Sequence, residues 1–225
     1  MSTQTRPGAG TPPARTADRV AAPPSPAARE ALAPPVALAV LLIVGGVLGL
    51  IGAFELTIDK FALLQHPSIH LNCNINPLVT CSKNLNSPEG AVFGFPNSVI
   101  GLMCFPAPIL LGVAGLAGTR FPRWFWAAFN VGMAFAIGFV MFLITQSLFH
   151  LGTLCPWCMV VWIGTIPMVI ATTLFNLSTG ALPLGRNGRR VGASLLGWTP
   201  LITLVVYLTV AVLAQVKLDV LHTVF

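Results

Sequence analysis

The stretch Thr153-Leu-Cys155-Pro-Trp-Cys158-Met159 places two cysteines three residues apart, where a short break gives way to a long apolar run. On a helix, residues i and i+3 share a face, so sulfurs with this spacing can bond to each other or meet one substrate. Proline is well tolerated in the first helical turn, which makes Cys155 the natural residue for the helix start. Unpaired N–H groups and the positive dipole end at such a terminus favour a thiolate over a thiol, the state that redox chemistry needs. Taken alone, a Cys-x-x-Cys fits redox chemistry, half of a zinc site or two buried thiols.

The surroundings of this stretch decide the class. No Asp, Glu, Lys or Arg occurs from 124 to 185, and the 225-residue chain is 55% apolar and only 8% charged. Runs this long and uncharged match the about 20 apolar residues of a membrane span. The sequence therefore predicts an all-α integral membrane protein with spans at about 36–54, 95–116, 124–149, 155–175 and 195–216. Gly45, Gly46 and Gly49 in the first span form a small-residue face suited to close helix packing. Residues 1–34, rich in Pro, Ala, Ser and Thr, read as a disordered cytoplasmic tail and not as a signal peptide.

Five spans put the chain ends on opposite sides, and the positive-inside rule selects the orientation. With the N-terminus inside, the cytoplasmic segments hold Arg6, Arg15, Arg19, Arg29, Arg120, Arg123, Arg186, Arg189 and Arg190, while the outer ones hold only Lys60, Lys83 and Lys217. The net charge of +6 thus belongs to span flanks and gives no ground for nucleic-acid binding. The loop at 55–94 and the turn before Cys155 then share the outer side, so Cys73, Cys81, Cys155 and Cys158 face an oxidising compartment. Cys104, about two turns inside the second span, reads as a small apolar packing residue.

Two cysteine pairs on one side allow a four-cysteine zinc site, two structural disulfides, or a relay of thiol–disulfide exchange. The spacing does not match common zinc ribbons, whereas a loop pair beside a helix-end pair suits exchange through mixed disulfides. No haem, iron–sulfur or dinucleotide signature supplies a final acceptor. A quinone, apolar and matched to a dithiol in taking two electrons, fits a cysteine pair at the top of a helical bundle. Asn97, at the start of the second span, could hydrogen-bond a quinone carbonyl or simply cap its helix. Trp162 shares the helix face of Cys155 and Cys158 and could stack on a flat ring or serve packing alone. The predicted spans contain no ionisable Asp, Glu, Lys or Arg to mark a channel or transport pathway. His66, His70, His150 and His222 all fall on the outer side and read as interfacial residues, one of which could help protonate a reduced quinone.

Four features occur in a telling order. They are Cys73-Asn-Ile-Asn-Pro-Leu-Val-Thr-Cys81-Ser82, then Val92-Phe-Gly-Phe-Pro-Asn97-Ser-Val-Ile-Gly101, then the uncharged third span, then Cys155-Pro-Trp-Cys158. In this the sequence resembles the vitamin K epoxide reductase family in its bacterial form, over about residues 36–177. The resemblance implies a four-helix bundle around a quinone over 35–177, capped by an extracytoplasmic loop, with the connector and fifth transmembrane helix of 178–225 outside the likeness. It also implies roles: Cys158 reacts with the quinone, Cys155 is its partner and exchanges with the loop pair, Cys81 is the preferred loop partner, and Cys73 meets the external protein. Asn97 matches an asparagine that hydrogen-bonds the quinone, and Trp162 stands where some relatives carry a tyrosine, which leaves a ring contact without the hydroxyl.

The implied cofactor is a quinone of menaquinone or ubiquinone type, with no metal. Many relatives continue past a fifth span into a thioredoxin-like domain; with nine residues after Val216, the expected partner here is a separate thioredoxin-fold, DsbA-like oxidase. The expected function is to reoxidise that partner outside the bacterial cell membrane and reduce a quinone, in support of disulfide formation in exported proteins. The alternative is a quinone or quinone-epoxide reductase whose product is the reduced quinone. A non-catalytic scaffold with two structural disulfides is the third reading.

Overall fold

The computed structural model describes residues 31–219, so the expectations for residues 1–30, for His222 and for the C-terminal residues 220–225 lie outside the described residues. In chain order the helices are α1 (Val36–Gln65), the short α2 (Ser82–Asn86), a 3-10 turn (Pro88–Ala91), α3 (Asn97–Cys104), α4 (Pro106–Leu116), α5 (Arg123–Thr145) with a π turn (Gln146–Leu151), α6 (Pro156–Thr179), α7 (Gly185–Leu196) and α8 (Thr199–Leu218). No strand occurs among the described residues; the only extended pairings there are isolated bridges between Leu32 and Phe121 and between Val79 and Leu154. Five segments are long and apolar enough to cross a membrane: α1, α3 with α4, α5 with its π turn, α6 and α8. The chain is a multi-pass, all-α membrane protein.

In lipid, helices gain little from apolar burial and associate where small residues let backbones approach. The α1 glycines do this on two sides. A Cβ on Gly45 would lie 2.8 Å from the Gly164 carbonyl of α6, and one on Gly164 would lie 2.6 Å from the Gly45 carbonyl. A Cβ on Gly46 would meet Ile109 of α4 at 2.6 Å, and one on Gly49 would overlap the Phe105 ring. On α4, a Cβ on Gly112 would come within 2.5 Å of the Ala39 carbonyl. α1 is therefore the central post, with α6 and α4 pressed against its glycine faces. The second span bends at Phe105 because Pro106 brings no N–H to the ladder.

Three boundaries differ from the sequence expectation. α1 does not stop near residue 54 but runs 30 residues to Gln65, with Glu55, Asp59 and Lys60 in its last turns. At ~1.5 Å per residue that is about 45 Å, longer than the ~30 Å hydrocarbon core, so the charged turns stand clear of it. No proline or glycine occurs between Gly52 and Pro67, and Leu56 and Leu63 are buried under the loop, which keeps the extension helical. The loop accordingly begins at His66. The connector after α6 is itself helical: α7 carries Arg186, Arg189 and Arg190 and seats Gly192 against Ser178 at the end of α6. Finally, residues 31–34 are tied down, with Leu32 and Phe121 exchanging backbone hydrogen bonds of 2.8 and 2.9 Å.

The fifth span docks by a polar contact. Pro167 inside α6 has no N–H, so the Ile163 carbonyl one turn earlier lacks its helical donor. Tyr207 of α8, the only tyrosine in the chain, donates its hydroxyl to that carbonyl at 2.6 Å. A freed carbonyl within the membrane needs a donor from a neighbour, and α8 supplies it. Tyr207→Phe is expected to destabilise the protein by about 1 kcal/mol in detergent unfolding. The loss is expected to shrink in a Pro167→Ala background, where the restored N–H serves the carbonyl; equal losses in both backgrounds would contradict this account.

Candidate active site

The loop after α1 is shaped by two asparagines. The Asn74 side-chain oxygen accepts from the Thr80 hydroxyl at 2.6 Å and from the N–H groups of Cys81 and Ser82 at 3.0 and 3.2 Å. The Asn76 oxygen accepts from the N–H groups of Leu78 and Val79 at 3.0 and 2.7 Å. Such side chains replace the backbone partners a loop lacks. The loop then pairs with the turn before α6: Thr80 N–H donates to Leu154 at 2.9 Å, and Leu154 N–H donates to Leu78 at 2.8 Å. Val79 is thereby paired with Leu154, and just beyond this pairing Cys81 and Cys155 lie side by side. On the far side of the turn, Gly152 takes a left-handed φ of 63°, the Lys83 ammonium donates to the Leu151 carbonyl at 2.5 Å, and the Ser147 hydroxyl donates to the Thr153 carbonyl.

Cys73 and Cys81 form a disulfide across the loop, with Cα atoms 5.8 Å apart. Cys155 and Cys158 are free thiols. The Sγ of Cys155 lies 3.3 Å from the Sγ of Cys81, and both residues are fully buried. Cys81 thus stands between its disulfide partner and the helix-end thiol. At the start of α6 the two cysteines diverge, Cys155 toward the loop sulfurs and Cys158 toward a cavity in the bundle. As expected, Cys155 precedes Pro156 at the helix start. A side-chain hydrogen bond from Cys158 holds the Cys155 thiol below its ordinary range; burial opposes this, and the N–H groups of Cys158 and Trp157 assist it. Cys155 is therefore the better leaving group and nucleophile of a neutral-pH exchange.

Asp59 is a neighbour that sequence reasoning missed. Its carboxylate oxygen sits 3.2 Å from the Cys73 sulfur, and that oxygen and both loop sulfurs lie within 4.8 Å of one another. A carboxylate at this distance can take a proton from Cys73 once the disulfide opens. Its neighbour Lys60 donates to the Leu85 carbonyl of α2 at 2.7 Å, so the α1 extension braces the loop at two points. With α1 read as ending near residue 54, neither contact could be found; the signal was the absence of a helix breaker before Pro67.

The cavity has a volume of about 550 Å³ and lies between α1, α3–α4, α5 and α6, under the loop. Apolar residues, among them Leu56, Met133, Phe139 and Val140, make most of its wall, and Cys158, Trp162 and Asn97 all reach it. Its size and apolar lining suit a flat cofactor ring. Asn97 is engaged with the chain that covers the cavity, donating to the Glu89 carbonyl at 2.6 Å and accepting from Val92 N–H at 3.1 Å. Trp162 is buried against the helix face that continues from Cys158. Cys104 departs from its expectation as a packed residue: it is exposed at the bend before Pro106 and lines the cavity wall. His150 belongs instead to a shallow outer cleft with Lys83 and Glu89, and neither His66 nor His70 lines the cavity.

The profile of the vitamin K epoxide reductase family matches residues 40–173, more than half of the chain. No curated protein sequence and no solved structure gives a significant match.

The thiol geometry makes an expectation with a sign. With the loop disulfide intact and Cys155 and Cys158 reduced, ultraviolet thiolate absorbance in a Cys104→Ala background is expected to rise with a first midpoint below that of an ordinary thiol. Cys158→Ala removes the donor, so the Cys155 midpoint moves up; a midpoint that stays or falls would contradict the assigned cause.

Proposed function

Because the chain belongs to the vitamin K epoxide reductase family, whose members are membrane oxidoreductases that link thiol–disulfide chemistry to quinones, we propose that it reoxidises an extracytoplasmic thioredoxin-fold partner, of DsbA type, and passes the electrons to a membrane quinone. The observation that carries this reading is the 3.3 Å contact between Cys81 and Cys155, with Cys158 turned to the cavity behind it. The sulfurs form a line from the loop to the bundle interior.

In the proposed cycle the partner's dithiol reduces Cys73–Cys81, and Cys73 is the sulfur that meets it. Cys81 then attacks Cys155 of the oxidised Cys155–Cys158 pair, which breaks that bond and leaves Cys158 as the thiolate. Cys73 attacks Cys81, the loop disulfide re-forms, and Cys155 departs with the electron pair. Two electrons and two protons have moved from partner to Cys155–Cys158, and a bound quinone supplies the two-electron acceptor that reoxidises this pair. Cys158 faces the cavity, Trp162 offers a ring surface there, and Asn97, whose amide keeps one N–H beyond its bond to Glu89, lines the same cavity. Within this reading the cysteine end lies outside a bacterial cell membrane and the N-terminus inside. Arg120, Arg123, Arg186, Arg189 and Arg190 all flank helix ends at the opposite end of the bundle, which supports that orientation.

The test is an anaerobic quinone-reduction assay on purified protein with a reduced thioredoxin-fold oxidase as donor. Cys73→Ala, Cys81→Ala, Cys155→Ala and Cys158→Ala are each expected to lower turnover by at least about 10³-fold, since each breaks the chain of exchange. Full turnover in the Cys158 variant would overturn the reading. A wild type that ignores the protein donor yet reduces a quinone epoxide with a small dithiol would replace it by a reductase whose product is the quinol.

A further inference from the structure

We propose that Asn84, on the short helix that follows Cys81, donates a hydrogen bond to a carbonyl oxygen of the quinone and so couples cofactor binding to the position of the loop sulfurs. The inference rests on the quinone reading above and names a residue that neither the motifs nor the family profile assigns.

Two independent observations meet at this side chain. Asn84 lines the 550 Å³ cavity, and its side-chain Nδ2 is buried with no hydrogen-bond partner. Several other polar groups nearby are occupied. Asn97 is held by Glu89 and Val92, the Ser98 and Thr57 hydroxyls are 2.8 Å apart, Ser147 donates to the Thr153 carbonyl, and Thr165 donates to the Val161 carbonyl at 2.8 Å. The main chain of Asn84 is also satisfied, its carbonyl accepting from the Ser87 hydroxyl at 2.9 Å. The Asn84 amide is thus a buried, unmatched donor at a mostly apolar cavity that Gln146 also lines.

An unmatched buried donor is costly, and a ligand bringing an acceptor removes the cost on binding. Wall and donor together define that ligand as flat, apolar and carbonyl-bearing. Water is a poorer match, because a buried water needs several polar partners and most of the neighbouring ones are already engaged. Asn84 lies three residues beyond Cys81 in the same helical turn, and Leu85 N–H donates to the Cys81 carbonyl at 2.9 Å. A ligand held by Asn84 therefore steadies the helix that carries Cys81 against Cys155. Occupancy of the cavity and readiness of the sulfur contact become one event.

The experiment measures equilibrium binding of two probes to the full-chain protein: menadione, a naphthoquinone without a tail, and 2-methylnaphthalene, which has the same ring and methyl group but no carbonyl. Asn84→Leu is expected to weaken menadione binding about tenfold while the hydrocarbon binds within about twofold of wild type. The infrared carbonyl band of bound menadione should move to higher frequency in the same variant, as a lost hydrogen bond requires, and Asn84→Gln should restore part of the affinity. Unchanged menadione affinity in Asn84→Leu would overturn the inference alone. Equal weakening of both probes would also overturn it, because that outcome marks a change of cavity shape. Failure of the wild type to bind menadione at all would remove the quinone reading and this inference together.

Discussion

The parallel bridge between Val79 and Leu154 holds the loop disulfide at a fixed place above α6, and the sulfur geometry depends on it. Its two backbone hydrogen bonds, from Leu154 N–H to Leu78 and from Thr80 N–H to Leu154, pair Val79 with Leu154 and leave Cys81 and Cys155 just beyond the bridge, 3.3 Å apart. A slip of one residue would shift Cys81 by ~3.3 Å along Cys155 and turn its side chain to the other face. Asn74 and Asn76 fix the loop side of that register through their side-chain oxygens, and Gly152 with Ser147 fixes the turn side. Few residues are involved, and nearly all of their polar groups are spent on holding two cysteines in register.

Beneath the bridge the bundle solves the membrane's own problem. Water does not drive spans together in lipid, so contact comes from close backbones and from polar groups with nowhere else to turn. The glycines of α1 provide the first, with Gly45 and Gly164 in mutual contact and Gly49 receiving the Phe105 ring. The Tyr207 hydroxyl on the carbonyl freed by Pro167 provides the second. The cavity lies beside these contacts, where α5 presents the open Gly132 instead of a packed glycine notch.

The polar chemistry is confined to the cavity's roof. Asp59 and Lys60 lie on the part of α1 that rises beyond the apolar core, Asn74 and Asn84 on the loop, and Asn97 at the first turn of α3. Below them the walls are mostly apolar, with Thr165 and Gln146 among the exceptions. Such a division suits a two-electron carrier whose ring must meet donors and sulfurs while the rest remains in lipid-like surroundings. It also keeps Asp59, which touches Cys73, at the loop end of the bundle.

Much of this was legible in one dimension. An uncharged run from 124 to 185 leaves a membrane as the only solvent that suits it, and Cys155-Pro-Trp-Cys158 can do little other than open a helix with both sulfurs near its end. The small-residue face of α1 was visible as spacing, although its partners Gly164 and Ile109 were not. Charge misled the reading at Glu55, because a helix ends where hydrogen bonding and packing stop and not where apolarity does; Leu56 and Leu63, packed under a loop from farther along the chain, carried α1 on to Gln65. The pairing of Cys81 with Cys155, Asp59 with Cys73 and Tyr207 with Ile163 joins residues 74, 14 and 44 positions apart. Local periodicity holds no record of such distances. Composition and spacing determined what the helices are and where the sulfurs begin; only the folded bundle, by closing long loops on a few hydrogen bonds, decided which groups meet.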